Sequence, residues 1–334
     1  MSRIIHVILS GGVGSRLWPV SRKSMPKQYI PMFDDKSLFQ LTAERNRALA
    51  DHLMVVGNKD NYLLSQSDLM RAGIGHYTEI VEAAPRNTAA AIAFAALAAA
   101  PEDILLITPS DHIITNEVAY AAAIAEAKTL AAQGHLVTFG ITPTKPETGY
   151  GYIETAGNEV LGFREKPDQS TAQLFLEQGN FLWNSGMFCF QAQAYLDELE
   201  AFEPEILEKS RNCFALSQDC LLPEAETMEI PSKSIDYAVM ERSKRIKVVQ
   251  TSFGWSDLGS FESIWEHWET KGEQQHFVSN NCVVGSKKHV EFVGVEDLVL
   301  VETEDAILVL SKKCSQDVKK VYERLEIEKP ELVA

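Results

Sequence analysis

The run Ile4-Ile5-His6-Val7-Ile8-Leu9, followed at once by Ser10-Gly11-Gly12-Val13-Gly14-Ser15-Arg16-Leu17-Trp18-Pro19, decides the fold. A short apolar run rich in β-branched residues reads as a buried strand, and the turn after such a strand is where open α/β sheets receive ligands. Three glycines let the backbone approach an anion closely and turn its N–H groups inward. The pattern departs from the dinucleotide fingerprint, because Leu17 stands where a third glycine is wanted, and from the Walker A loop, because no G-K-[S/T] follows. On glycine alone an ordinary tight turn explains the segment equally well. Charge adds the second signal: residues 1–33 hold Arg3, Arg16, Arg22, Lys23 and Lys27 but no Asp or Glu, in a protein of net charge −16. Such segregation points to a polyphosphate, with Arg16 as a planar fork and Lys27 as a mobile point charge.

Working outward, Leu53–Val56, Glu79–Glu82, Ile104–Thr108 and Leu136–Gly140 repeat the buried-strand pattern. They alternate with amphipathic stretches starting near Ser37, Lys59, Asn87 and Asn116, an α/β layout with a parallel sheet. Ser37 with Gln40 fits a capping box, and Asn87 and Asn116 are expected N-caps. From residue 150 the texture is mixed, with strands expected at Tyr152–Thr155, Val160–Glu165 and Met187–Gln191 and helices near Thr171–Gln178 and Gln193–Phe202. Ser217–Ser234, with its two prolines, is the expected mobile loop. After Gln275 short runs at Cys282–Val284, Val290–Val293, Leu298–Val301 and Ala306–Leu310, then a helix near Gln316–Glu326, read as a small β module.

The chain has 334 residues, of which 45% are hydrophobic and 23% charged, enough for a large core and little long disorder. The charge of −16 argues against broad attraction to nucleic acid or anionic lipid, so an anionic ligand needs a local basic site. No apolar run reaches the length of a membrane span and the N-terminus shows no cleavage-site pattern, so a cytoplasmic protein is expected. Five cysteines without a C-x-x-C pair indicate neither a disulfide framework nor a zinc knuckle, and eight scattered histidines form no hydrolase motif.

Two carboxylates stand where strands end. Asp111, in Thr108-Pro109-Ser110-Asp111-His112, would project beside the glycine loop, and Asp257 lies in Gly254-Trp255-Ser256-Asp257-Leu258-Gly259-Ser260. Carboxylates so placed commonly hold Mg²⁺, although, each taken alone, turn capping by Asp111 and a helix-start contact by Asp257 are the favoured readings. His112 reads as structural. The clusters Glu147–Tyr152, Phe163–Pro167 and Leu182–Met187 place fixed polar groups beside aromatic residues, as a polyol-binding wall does.

In this order, the segments resemble the sugar-nucleotide pyrophosphorylases, most closely the bacterial mannose-1-phosphate guanylyltransferases. The resemblance spans about residues 4–265 and continues weakly beyond. It rests on Gly11–Pro19, Pro26-Lys27-Gln28, Arg86-Asn87-Thr88-Ala89, Pro109–His112, Thr148–Ile153, Glu165-Lys166-Pro167, Trp183–Phe188, Ser234–Glu241 and Trp255–Ser260. Ser15, Ser110 and Ala90 depart from the commoner residues without removing a charge or a metal ligand. The resemblance implies a Rossmann-like nucleotidyltransferase domain with a mostly parallel mixed sheet over 1–274, and over 275–334 a β-rich module, left-handed β-helix-like, with a final helix. It further implies that Gly11, Gly12 and Gly14 cradle a triphosphate, and that Arg16 and Lys27, with Asp111, form the catalytic group. Asp111 and Asp257 would hold Mg²⁺. Glu82, Pro85, Asn87 and Thr88 would form the base pocket, and Gly151, Glu165, Lys166, Asn184 and Asp257 would bind the sugar phosphate.

The implied reaction joins GTP and mannose 1-phosphate to give GDP-mannose and pyrophosphate, in a homodimer. Longer relatives carry a cupin-type isomerase domain, so isomerase activity is not expected here. The alternatives are a pyrophosphorylase for another hexose 1-phosphate and nucleoside triphosphate, and a non-catalytic subunit that senses sugar nucleotides.

Overall fold

The computed structural model describes residues 2–33 and 35–334. Its strands in chain order are β1 (Ile4–Leu9), β2 (His52–Asn58), β3 (Thr78–Glu82), β4 (Ile104–Pro109), β5 (Ile113–Ile114), β6 (Leu136–Ile141), β7 (Tyr152–Ala156), β8 (Glu159–Arg164), β9 (Phe181–Gln191), β10 (Ile246–Thr251), β11 (Trp255–Ser256), β12 (Phe277–Val278), β13 (Asn281–Val284), β14 (Leu298–Glu302) and β15 (Ile307–Ser311). The helices are α1 (Leu38–Asn46), α2 (Tyr62–Arg71), α3 (Asn87–Ala98), α4 (Glu117–Ala131), α5 (Gln169–Gln178), α6 (Ala192–Phe202), α7 (Pro204–Ala215), α8 (Glu224–Glu229), α9 (Phe261–Lys271) and α10 (Val318–Glu328).

Nine strands form one sheet in the order β3-β2-β1-β4-β9-β6-β10-β8-β7. The pairings leave β1, β2, β3, β4, β6, β7 and β10 pointing one way and β8 and β9 the other, which is the mixed, mostly parallel sheet expected. Because side chains alternate along a strand, Ile5 and Val7 of β1 pack with α3, while Ile8 packs with α1 and α2 on the opposite face. Helix α3 has alanine at seven of its twelve positions, and residues Ala89–Ala96 are all buried; the many small side chains let it lie close between the sheet and α6 and α7. The carboxyl ends of β1, β3 and β4 open on the same edge of the sheet, and the cleft described below forms there.

Several local expectations are corrected. Ser37 accepts from the Gln40 N–H at 3.0 Å, but the Gln40 amide turns to Glu44, so the capping box is only half made. Arg86, not Asn87, stands in the N-cap position of α3; Asn87 has φ 68° and its Oδ1 accepts from the Thr88 N–H at 2.8 Å. Residues 217–234 are not a loose loop: they contain α8, and the Val81 N–H donates to the Cys220 carbonyl at 2.7 Å while the Leu222 N–H donates to Val81 at 2.9 Å, which extends the edge at β3. Val290–Val293 forms no strand.

Strands β5 and β11 pair as a two-stranded antiparallel sheet, and β12 to β15 form a separate four-stranded sheet. Its inner side, with α10, shares a core with Leu17 and Trp18 of the glycine loop and with Phe261 and Trp265 of α9. No helix among the described residues is long and apolar enough to cross a membrane.

Candidate active site

A cleft of about 490 Å³ lies over the carboxyl ends of β1, β3 and β4. Ser10, Gly11 and Gly12 form its floor, Glu82, Pro85, Asn87 and Thr88 one end, and Gly151, Glu165 and Asn184 the other, with Asp111 and Asp257 between them. Most residues singled out from sequence therefore meet in one place, although they are up to 246 positions apart, from Gly11 to Asp257.

The glycine loop positions Lys27. An added Cβ on Gly14 would stand 2.6 Å from the Lys27 Cβ, and Gly14 has φ 78°, so only glycine lets the lysine stem pass under the loop. The Lys27 N–H donates to the Val13 carbonyl at 3.1 Å, closing the excursion between them. Lys27 is 6% exposed. Its Nζ donates to the Asp257 backbone carbonyl at 2.6 Å and pairs with Asp111 Oδ2 at 2.7 Å, so a single ammonium ties the two acidic segments together. Burial works against the Asp111 carboxylate, but the Lys27 charge and the neighbouring His112 outweigh it and hold its pKa below the ordinary value.

His112 does more than fill space. The Trp255 indole N–H donates to His112 Nδ1 at 3.1 Å, which leaves the remaining ring proton on Nε2, 3.7 Å from Asp111 Oδ1. Burial lowers the His112 pKa and keeps the ring neutral at pH 7. Asp257 Oδ1 accepts from the Tyr150 hydroxyl at 2.9 Å and from the Gly259 N–H at 3.1 Å; its Oδ2 makes no hydrogen bond among the described residues. Burial, then the Asp257 charge, pushes the Tyr150 hydroxyl far up, so it stays a donor.

At the far end, a Cβ on Gly151 would lie 2.7 Å from Glu165 Oε2, so a side chain there would displace that carboxylate. Lys166 pairs with Glu165 at 2.5 Å and stays largely exposed, without lining the cleft. The Asn184 amide donates to Asp236 Oδ1 at 3.0 Å, and its Oδ1 accepts from the Gly186 N–H at 3.1 Å. Asp236, whose pKa burial raises, is a cleft residue that sequence reasoning missed, although it lies inside the quoted Ser234–Glu241 segment. Tyr150, inside the Glu147–Tyr152 stretch read as a wall, does line the cleft, and Trp255, its ring 5.0 Å away, is a wall residue that sequence reasoning did not single out. Arg16 lies across that wall in an adjoining cleft that shares Tyr150, Trp255 and Asp257. No ion pair holds Arg16 among the described residues.

Glu82 is 7% exposed, and its Oε1 has no hydrogen-bond partner among the described residues. Burial lifts its pKa to about 7 against a backbone hydrogen bond from Arg86 that lowers it. The folded state therefore holds a proton that the unfolded chain releases near 4.5, and stability falls as pH rises from about 4.5 to 7. Denaturant unfolding at pH 5 and pH 8 should show Glu82→Gln losing a share of that fall worth roughly 3 kcal/mol; an unchanged difference between the two pH values in the variant would refute the burial of an ionisable Glu82.

The chain matches the nucleotidyl transferase family model over residues 5–274 and the MannoseP isomerase/GMP-like beta-helix domain over residues 278–325. The chain belongs to the nucleotidyl transferase family. As a nucleotidyltransferase it is 41% identical to the mannose-1-phosphate guanylyltransferase of Klebsiella pneumoniae, over 97% of this chain and 74% of the relative. It is 40% identical to the xanthan biosynthesis protein XanB of Xanthomonas campestris pv. campestris (strain ATCC 33913), over 98% of this chain and 74% of that protein. A solved Thermus thermophilus structure described as a mannose-1-phosphate geranyltransferase superposes with a TM-score of 0.82 at 29% identity, over 97% of this chain and 99% of the other. Enzymes of this family generally use a divalent metal. The donors here suit one: Asp111 is held ionised and about a third exposed, and Asp257 keeps a carboxylate oxygen without a hydrogen-bond partner among the described residues. No group of three or more His, Cys, Asp or Glu that could hold a metal gathers among the described residues.

Proposed function

We propose that the protein transfers GMP from GTP to α-D-mannose 1-phosphate, giving GDP-mannose and pyrophosphate. The observation that carries the reading is the Lys27 ammonium joined to Asp111 and to the Asp257 carbonyl beside the glycine loop. A cation bound between two acidic segments at the carboxyl end of a sheet is suited to hold a polyanion next to a metal ion, and the relative named mannose-1-phosphate guanylyltransferase supports the choice of substrates.

In this reading a phosphate oxygen of mannose 1-phosphate attacks the α-phosphorus of GTP. The new O–P bond forms in line with the breaking bond to the β-phosphate, and pyrophosphate leaves with that bond's electron pair. The attacking phosphate is already an anion, so no general base is required and rate comes from alignment and charge neutralisation. Gly11, Gly12 and Gly14 let the loop backbone approach the triphosphate, and Arg16 and Lys27 balance its charge. Mg²⁺, held by Asp111 and Asp257, would supply further charge neutralisation at the phosphates when bound. Glu165, Asn184 and Gly151 would receive the sugar, with Lys166 beside Glu165.

Base choice follows from Glu82, at the Pro85–Thr88 end of the cleft. Guanine presents N1–H and an exocyclic amine side by side, two donors that match a carboxylate, whereas the corresponding ring nitrogen of adenine is an acceptor. The unsatisfied Glu82 Oε1 supplies one such acceptor. Unpaired cysteines throughout the described chain accord with a reducing, cytoplasmic setting. Incubating the protein with Mg²⁺, GTP and mannose 1-phosphate should give GDP-mannose identifiable by mass, and GDP-mannose with pyrophosphate should return GTP; failure in both directions would refute the reaction.

A further inference from the structure

Residues 14–27 contribute no strand to any of the three sheets, yet they carry Arg16 and end at Lys27. Their order comes from short helical turns at Ser15–Leu17 and Lys27–Tyr29 and from contacts on their outer side. Those contacts belong to the C-terminal module. The Trp18 indole N–H donates to the Leu332 carbonyl at 2.8 Å, and the Lys23 N–H donates to the Val333 carbonyl at 3.0 Å. Arg22 is the centre of this seam. Its Nη1 and Nη2 fork onto Asp305 at 2.8 and 2.5 Å, in the turn between β14 and β15, Nη2 also reaches Thr303 Oγ1 at 3.4 Å, and Nε donates to the Pro19 carbonyl at 3.2 Å. One planar group thus holds the module's turn and the loop's own backbone together, which a point charge cannot do. Arg22 lines neither cleft.

We propose that the C-terminal module positions the nucleotide loop, and that Arg22 and Asp305 are positioning residues that act through Arg16 and Lys27. The proposal rests on the roles given to those two cations above. Arg16 has no side-chain partner of its own among the described residues, so the backbone of its loop alone determines where its charge stands. Loosening the outer seam spreads the positions of Arg16 and, through the Val13–Lys27 hydrogen bond, of Lys27. No hydrogen bond or ion pair among the described residues joins Glu165, Asn184 or Asp236, at the sugar end of the cleft, to the seam.

The test compares full-length wild type with Arg22→Ala, Asp305→Ala and the double variant. Asp305 is about half exposed, so its loss leaves the fold intact. Each single change is expected to raise KM for GTP about fivefold and leave KM for mannose 1-phosphate within twofold, and the double variant should be no worse than the poorer single, as expected of a pair acting as one unit. Unchanged KM for GTP in both singles, or equal rises for both substrates, would overturn the proposal. A wild type that makes no GDP-mannose refutes the reaction instead. The seam is then judged by amide hydrogen exchange over residues 14–27, where faster exchange in Asp305→Ala upholds the anchoring and unchanged exchange removes it.

Discussion

Asp111→Asn is expected to lower kcat by about 10²–10³-fold, the cost of removing one well-placed charge-stabilising group from a catalytic site. The side chain keeps its shape, and the amide oxygen still accepts from Lys27, which is 2.7 Å from Asp111 Oδ2. The thermal midpoint should therefore stay within a few degrees of wild type, and GTP should still bind. In the proposed reaction the loss falls on turnover, because the carboxylate charge would stand where the two phosphates meet. Steady-state kinetics alongside thermal unfolding separate the cases: near-normal kcat would remove Asp111 from the chemistry, and a collapsed midpoint would make its role structural.

Lys27→Met is expected to be at least as damaging, with kcat/KM for GTP down by about 10³-fold. Lys27 touches both Asp111 and the Asp257 backbone, so its loss unties the two acidic segments from each other and, in the proposed reaction, also removes a positive charge from beside the triphosphate. Stability should fall by about 1–2 kcal/mol, below the roughly 3–5 kcal/mol of a fully buried broken pair because Asp111 is part-exposed. Asp111→Asn combined with Lys27→Met should cost little more than Lys27→Met alone, since groups acting as a unit are not additive. Multiplying losses in the double variant would show that the two residues act separately.

The parts of this site legible in the sequence are those set by local chemistry. β1 and the glycine loop are adjacent in the chain, and the absence of acidic residues beside Arg16 and Lys27 is visible without a structure. Asp111 and Asp257 are legible as carboxylates at strand ends, but their common tie to one ammonium is not, because 146 positions separate them and only the sheet order brings them together. Asp236 escapes for a related reason: it sits in a short π-helical turn after α8, and its meaning appears only when Asn184, on a distant strand, donates to it. Asn87 looks like a helix cap by composition and instead takes the left-handed backbone region that Asn tolerates, one residue later than a cap would stand. The prolines of 217–234 suggest mobility, yet backbone hydrogen bonds to the β3 edge fix the segment. The seam between residues 18–24 and the C-terminal module is beyond any local reading, since the backbone carbonyls of Leu332, Val333 and Ala334 carry part of it and Asp305 lies 283 positions from Arg22.

The most direct test of the central claim is pyrophosphate release with Mg²⁺, measured for GTP, UTP, dTTP and CTP against mannose 1-phosphate and glucose 1-phosphate. The site described here, with Glu82 at the base end and the Lys27–Asp111–Asp257 cluster at the phosphates, predicts that GTP with mannose 1-phosphate reacts fastest by at least tenfold. Dominance of another pair would contradict the base and sugar assignments, and no release from any pair would contradict catalysis itself.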